Sequence, residues 1–430
     1  MKTLKLGLLG YGTVGQGVVQ LLARNHDEWK RKTGFDIRVS AIAKRNWQGL
    51  DKPVGVDCVT EAADIVKRDD IDVVLELMGG TDLAFDLIMQ AISHGKHVVT
   101  ANKALIADRG MEIFQFAAEK RVQVAFEASV AGGIPIVKSL KEGLVANEIQ
   151  SVAGIINGTS NYILTAMRNE GRDFDDVLAE AQALGYAEAD PTFDIEGIDA
   201  AHKLTILASI AFGIDLDFDK LSITGIGQIT RQDVEYAEEL GYRIKHLGMA
   251  IRRENGVEVR VHPTLVPETT LISKVDGVMN AVRVFGNGVG ETLFYGAGAG
   301  SLPTASAVMA DVLGLVTNLA AEHVSPLGYV RDKQNNLTAL SVDKHRSANY
   351  LRITVVDKPG VMADIARILA DRNISIEAIL QKEPQKGDLA SVVIVTQVVG
   401  EADLQTAINT IKTLDTVFGD IMRIHVEHFL

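Results

Sequence analysis

An apolar strand, Leu4-Lys5-Leu6-Gly7-Leu8-Leu9, turns through Gly10-x-Gly12-x-x-Gly15 into a run with helical spacing of apolar residues. Few folds accept that order. Gly10 makes the tight turn, Gly12 lets the backbone approach a pyrophosphate, and Gly15 packs helix on strand, while the helix N-terminus receives phosphate charge. The expectation is an α/β fold, a Rossmann-type doubly wound parallel sheet. Gly10, Tyr11, Gly12, Thr13, Val14 and Gly15 would then cradle a dinucleotide. The competing reading is a glycine loop that only turns the chain.

A second strand, FDIRVSAIA, ends at Lys44-Arg45-Asn46. A site that prefers NAD usually has Asp or Glu there to accept from the ribose 2′-hydroxyl. Lys44 and Arg45 would instead welcome a 2′-phosphate, so NADP(H) is expected to be preferred, with NAD(H) possible. The runs IDVVLELMGG and KHVVTANKALI continue a strand–helix alternation. Lys103 follows the second, where a parallel sheet presents its ligands. Further on, VQVAFEASVAGGIPIVKSL breaks at Gly132-Gly133. Glu127 and the carbonyls of that glycine turn offer hard oxygen ligands for a cation.

The chain has 430 residues, room for about three domains. A formal net charge of -13 argues against nucleic acid or an anionic membrane surface as partner. The single cysteine, Cys58, excludes an internal disulfide and a cysteine metal cage, and suits a reducing, cytoplasmic setting.

The segment GYAEADPTFDIEGIDAAHK holds five acids and then Lys203. It fits a substrate with both an ammonium group and a carbonyl. Glu188, Asp194 and Asp199 would hold the ammonium, and Lys203 would protonate a developing alkoxide. If the run after it is helical, Asp199 and Lys203 share a face. The plainer reading is an acidic surface loop with Lys203 as an i,i+4 partner of Asp199.

Between 149 and 300, IQSVAGIIN and GVEVRVHPTLV read as strands and DDVLAEAQAL as a helix. A strand hairpin then leads to a second glycine loop, Gly296 to Gly300, which could return the chain to the cofactor. The last 80 or so residues alternate as β-α-β-β-α-β, a ferredoxin-like unit that reads as an interaction or ligand-sensing module.

Taken together, GLLGYGTVGQGV, TANKALI, INGTSNYIL, GYAEADPTFDIEGIDAAHKL, YGAGAGSLPTASAV and the terminal DKPGV unit resemble homoserine dehydrogenase. The form resembled is the single-function type with a C-terminal ACT domain. The resemblance implies an NAD(P)-binding Rossmann domain over 1–131, completed by about 301–325. An α+β substrate-binding and dimerisation domain over 132–300, a linker over 326–348 and an ACT regulatory domain over 349–430 would follow. It implies reversible reduction of L-aspartate 4-semialdehyde to L-homoserine, with Lys203 and Lys103 catalytic and Glu188, Asp194 and Asp199 binding substrate. Lys103, Gly185, Glu188 and Gly300 would also contact cofactor. A sodium ion would sit on Glu127, Val130, Gly132 and Ile134. Threonine is the implied effector, near Asp357, Gly360, Val361, Asn373 and Ile374, and a homodimer or homotetramer the implied assembly. The rivals are a hydroxy-acid dehydrogenase with the same tail and a non-catalytic amino-acid sensor on a Rossmann scaffold.

Overall fold

The computed structural model describes residues 2–318, 338–381 and 389–427. They fall into two compact units, each discontinuous in sequence. The first comprises Met1–Ile156, His202–Asp219 and Met279–Thr338; the second comprises Asn157–Ala201, Lys220–Val278 and Ala339–Leu430. Residues 319–325 of the expected Rossmann completion and 326–337 of the expected linker lie outside the described residues.

The first unit is built on six parallel strands. In spatial order they are Asp57–Val59, Phe35–Ala43, Lys2–Leu9, Val73–Glu76, His97–Thr100 and Val124–Ala125. Leu6, Leu8, Val73, Val74, Leu75, Val98 and Val99 are fully buried, as a parallel sheet covered by helices on both faces requires. Each such side chain contributes about 1.5–3 kcal/mol, so the sheet, not the glycine loop, holds this unit together. Helices Thr13–Thr33, Asp82–Ser93 and Lys103–Lys120 connect the strands. Lys2–Leu9 lies between Phe35–Ala43 and Val73–Glu76, so the strand order reverses beside it. In such sheets ligands bind outside the carboxyl ends at that point.

Helix Ser301–Asn318 joins the same core. Its Ala305, Val308 and Val312 pack with Leu6, Val18 and Leu75. The expected hairpin is also present: Met279–Gly286 pairs antiparallel with both Gly290–Ala297 and Ile149–Ile155.

In the second unit, Tyr242–Arg253 and Gly256–Pro267 form a long antiparallel hairpin. The C-terminal elements follow the β-α-β-β-α-β order read from the sequence: Arg346–Val356, Val361–Ala370, Ile376–Gln381, Leu389–Thr396, Glu401–Ile411 and Val417–Val426. Arg346–Val356 is central, antiparallel to Leu389–Thr396 and to Val417–Val426, and Ile376–Gln381 extends the sheet beyond Leu389–Thr396. The two helices bury Ile365, Leu369, Leu404 and Ile408 against Leu351, Ile353 and Val355. This ferredoxin-like sheet is continuous with the hairpin, because Val417–Val426 runs parallel to Gly256–Pro267 through Thr264–His425 and Leu265–Val426. Among the described residues, no helix is long and apolar enough to cross a membrane.

Candidate active site

In the first unit, the glycine loop sits at the carboxyl end of the strand Lys2–Leu9. Gly10 has φ +109, and a Cβ there would stand 2.5 Å from the Leu77 carbonyl oxygen. No side chain is tolerated at that turn. Gly12 has nothing within 4 Å of its would-be Cβ, so the backbone is open where a pyrophosphate would lie. Helix Thr13–Thr33 starts there with no side-chain cap and no acid in its first turn. Its leading N–H groups and the positive end of its dipole are the arrangement that favours an anion at a helix start. Tyr11 is buried, its ring centroid 5.5 Å from that of Trp47. Lys44 and Arg45 follow directly after Phe35–Ala43, and Arg45 is exposed.

Two neighbouring loops are tied together below this site. Glu76, fully buried, accepts from the Thr100 hydroxyl at 2.6 Å and from the Met78 N–H at 2.9 Å. Asn102 donates to the Gly80 carbonyl at 2.6 Å and caps helix Lys103–Lys120 by accepting from Leu105 N–H at 3.2 Å. Lys103 is the first residue of that helix, whose first turn holds no acid. A cation there opposes the helix dipole, so the position is not explained by helix stability. Lys203 belongs to helix Ile198–Phe212, and its Nζ donates to the Ile156 carbonyl at 2.7 Å.

The loop after Val124–Ala125 carries Glu127, Val130, Gly132 and Ile134. Glu127 is buried and accepts from the N–H groups of Val137 at 2.9 Å and Lys138 at 2.7 Å. Its own N–H donates to the buried Asp311 at 2.8 Å. Burial, and then the Asp311 charge, push the Glu127 carboxyl up to about 7. Ala131 and Gly132 are successive left-handed residues, with φ 54 and 51. The loop thus places one buried carboxylate, Glu127, beside a second, Asp311. A site made of several acids or histidines is absent among the described residues.

This loop interlocks with the second glycine loop. Gly133 N–H donates to Ala297 O at 3.0 Å. A Cβ on Gly132 would stand 2.5 Å from Gly298 O, and one on Gly298 would collide with the Asn280 amide. Gly300 has φ +121, and the next residue, Ser301, donates from its hydroxyl to Thr13 O at 2.8 Å. The Gly296–Gly300 loop therefore does return to the start of the first helix.

The second unit holds the acidic segment. Gly185, with φ +75, and Glu188 are exposed. The Glu188 carbonyl accepts from the Gln182 side chain at 3.1 Å. Asp194 lies in the short helix Thr192–Ile195, and Asp199, buried, lies in the first turn of Ile198–Phe212. Asn157 brings these two acids together, its amide donating to Asp194 at 2.7 Å and to Asp199 at 3.0 Å. Sequence reasoning missed Asn157; its one signal was the Asn-Gly-Thr-Ser string, which reads as a helix cap. In the ferredoxin-like unit, Asp357, Gly360 and Val361 lie at the start of helix Val361–Ala370, while Asn373 and Ile374 follow its other end. Gly360 has φ 98 and Asn373 φ 55. Val361 and Ile374 are core residues there.

Comparison with known proteins bears on this architecture directly. Residues 135–313 match the family described as homoserine dehydrogenase, 10–127 the homoserine dehydrogenase NAD binding domain, and 349–416 the ACT domain. The homoserine dehydrogenase of Pseudomonas aeruginosa is 53% identical, with 99% of each chain covered. The chain belongs to the homoserine dehydrogenase family. A homoserine dehydrogenase crystal structure from Thiobacillus denitrificans superposes with TM-score 0.92 at 54% identity, covering 99% of both chains. A hyperthermophilic archaeal homoserine dehydrogenase in complex with NADPH matches at TM-score 0.64 and 25% identity, over 74% of this chain and 99% of that one. The chain's function is that of a homoserine dehydrogenase, an oxidoreductase with a nicotinamide cofactor domain and a C-terminal ACT domain.

Proposed function

We propose that this homoserine dehydrogenase interconverts L-aspartate 4-semialdehyde and L-homoserine reversibly, in the branch that leads to threonine, methionine and isoleucine, and prefers NADP(H). The observation that carries the reading is the helix Ile198–Phe212. It opens with Asp199, hydrogen-bonded with Asp194 to one amide, and goes on to Lys203, whose ammonium is held by a main-chain carbonyl. Carboxylates grip the substrate's ammonium group, and Lys203 meets its carbonyl oxygen.

A nicotinamide held at the glycine loop would supply or accept the hydride. In the reducing direction negative charge grows on the aldehyde oxygen; Lys203 gives it a proton, and Lys103 stabilises the charge beside it. Glu188, Asp194 and Asp199 bind and orient the amino group. Gly10, Tyr11, Gly12, Thr13, Val14 and Gly15 receive the pyrophosphate, Lys44 and Arg45 the 2′-phosphate, and Lys103, Gly185, Glu188 and Gly300 complete the cofactor contacts. Glu127 and the carbonyls of Val130, Gly132 and Ile134 would hold sodium, which would supply positive charge beside the two buried acids Glu127 and Asp311. Threonine acts at the ACT domain near Asp357–Val361 and Asn373–Ile374; it shifts activity to the extent that two conformations differ in affinity for it. We also read the chain as a cytoplasmic homodimer or homotetramer. Its division is 1–131 with about 301–325, 132–300, a 326–348 linker and 349–430.

The test is the initial rate of semialdehyde-dependent oxidation of NADPH and of NADH. Each is measured with and without threonine, and in sodium or choline chloride at equal ionic strength. Faster NADPH oxidation, inhibition by threonine and a gain with sodium are the expected results. Equal rates with the two cofactors would remove the role of Lys44 and Arg45. No response to threonine or to sodium would remove the respective site. No turnover from a folded sample would bring forward the amino-acid sensor. Asp199→Ala is expected to raise KM for the semialdehyde about tenfold or more, with a smaller change in kcat. Unchanged values of both constants would take Asp199 out of the site.

A further inference from the structure

Asn157 stands at the junction of the strand Ile149–Ile155 and the helix Gly158–Glu170, and its side chain is buried. The amide has two tasks. Its Oδ1 accepts from the Ser160 N–H at 2.8 Å and caps the helix. Its Nδ2 donates to Asp194 Oδ1 at 2.7 Å and to Asp199 Oδ2 at 3.0 Å. The orientation follows from these partners, since a flipped amide would set a carbonyl oxygen against two carboxylates and lose all three bonds. Ser160 reinforces the arrangement, its hydroxyl donating to the Asp194 carbonyl at 3.1 Å. Two carboxylates thus share the two protons of one amide nitrogen. Side by side, like charges repel, and a doubly donating amide offsets that repulsion without neutralising either acid.

We propose that Asn157 is a positioning residue: its amide sets the spacing of Asp194 and Asp199, and so sets selectivity for an aldehyde that carries an ammonium group. This rests on the substrate reading above. A helix cap alone needs only an oxygen acceptor, which Ser supplies nearly as well as Asn. Asn157→Ser therefore keeps the cap and removes the bridge, whereas Asn157→Ala removes both.

The experiment compares kcat/KM for aspartate semialdehyde with that for succinate semialdehyde, the same chain without its amino group, in the wild type and both variants. In Asn157→Ser the value for the amino aldehyde should fall about tenfold to a hundredfold further than that for succinate semialdehyde, as expected for loss of hydrogen bonds to charged partners. The loss should fall mainly on KM. Asn157→Ala should show the same change in selectivity and a lower melting temperature. An equal fall for both aldehydes in Asn157→Ser, or an unchanged ratio, would overturn the proposal. If the wild type reduces neither aldehyde, the substrate reading fails by itself. The bridge is then judged from the crystal structure of Asn157→Ser. Movement of the Asp194 and Asp199 carboxylates away from each other supports the positioning role, and an unchanged separation overturns it.

Discussion

Lys203→Ala is expected to cut semialdehyde turnover by about a hundredfold to ten-thousandfold, the range of a lost general acid, with little change in NADPH affinity. The lysine lies in helix Ile198–Phe212, and alanine is the best helix former, so the backbone should persist. What disappears is the ammonium donating to the Ile156 carbonyl at 2.7 Å. The carbonyl accepts from the ammonium and so helps fix where Lys203 points. Single-turnover hydride transfer, followed by NADPH fluorescence, separates the chemical step from binding. If the variant retained turnover near the wild-type rate, proton donation would have to be assigned elsewhere.

The largest expected effect on stability is at Asp233, far in sequence from the acidic segment. It is fully buried and forms a reciprocal capping box with Thr230 at the start of helix Arg231–Glu239. Its carboxylate also accepts from the Tyr350 hydroxyl at 3.1 Å and from Arg352 at 2.7 and 3.1 Å. Asp233→Ala strips the cap and leaves a half-buried guanidinium and a buried phenol without their anion. Breaking a buried ion pair from one side costs about 3–5 kcal/mol. That corresponds to a melting-temperature drop on the order of 10 °C for a unit of this size. Burial and the Asp233 charge both raise the Tyr350 hydroxyl above its ordinary value, so the phenol remains a donor at all working pH. Asp233→Asn keeps the shape and one acceptor and should lose less. A melting curve for Asp233→Ala within a degree of the wild type would show that this network contributes nothing net.

These two residues mark what a sequence reveals. The glycine loop, the strand–helix alternation and the terminal β-α-β-β-α-β unit are local patterns, and the folded chain has them where the spacing predicts. Lys203 and Asp199 stand four apart, so their common helix was legible too. Asn157 was not, because its partners lie 37 and 42 residues away, and an asparagine before Gly-Thr-Ser already has a sufficient local explanation as a cap. Asp233 is similar. Thr-x-x-Asp signals a helix start, but nothing nearby announces an arginine 119 residues on. Side chains with one local and one distant task show only the local one.

The interlocked glycine loops have a consequence for inhibition. Gly10 lies against the Leu77 carbonyl, and Gly132 against Gly298, which in turn lies against Asn280. The first two walls are main chain pressed on main chain, the third is the Asn280 side-chain amide, and a methyl group at any of the three glycines has no room. An inhibitor that reads such walls through N–H and C=O groups therefore meets a surface that point mutation can scarcely reshape without disturbing the fold. Resistance to it would have to arise at side chains bordering the loops, such as the exposed Arg45, and those are the positions to leave uncontacted.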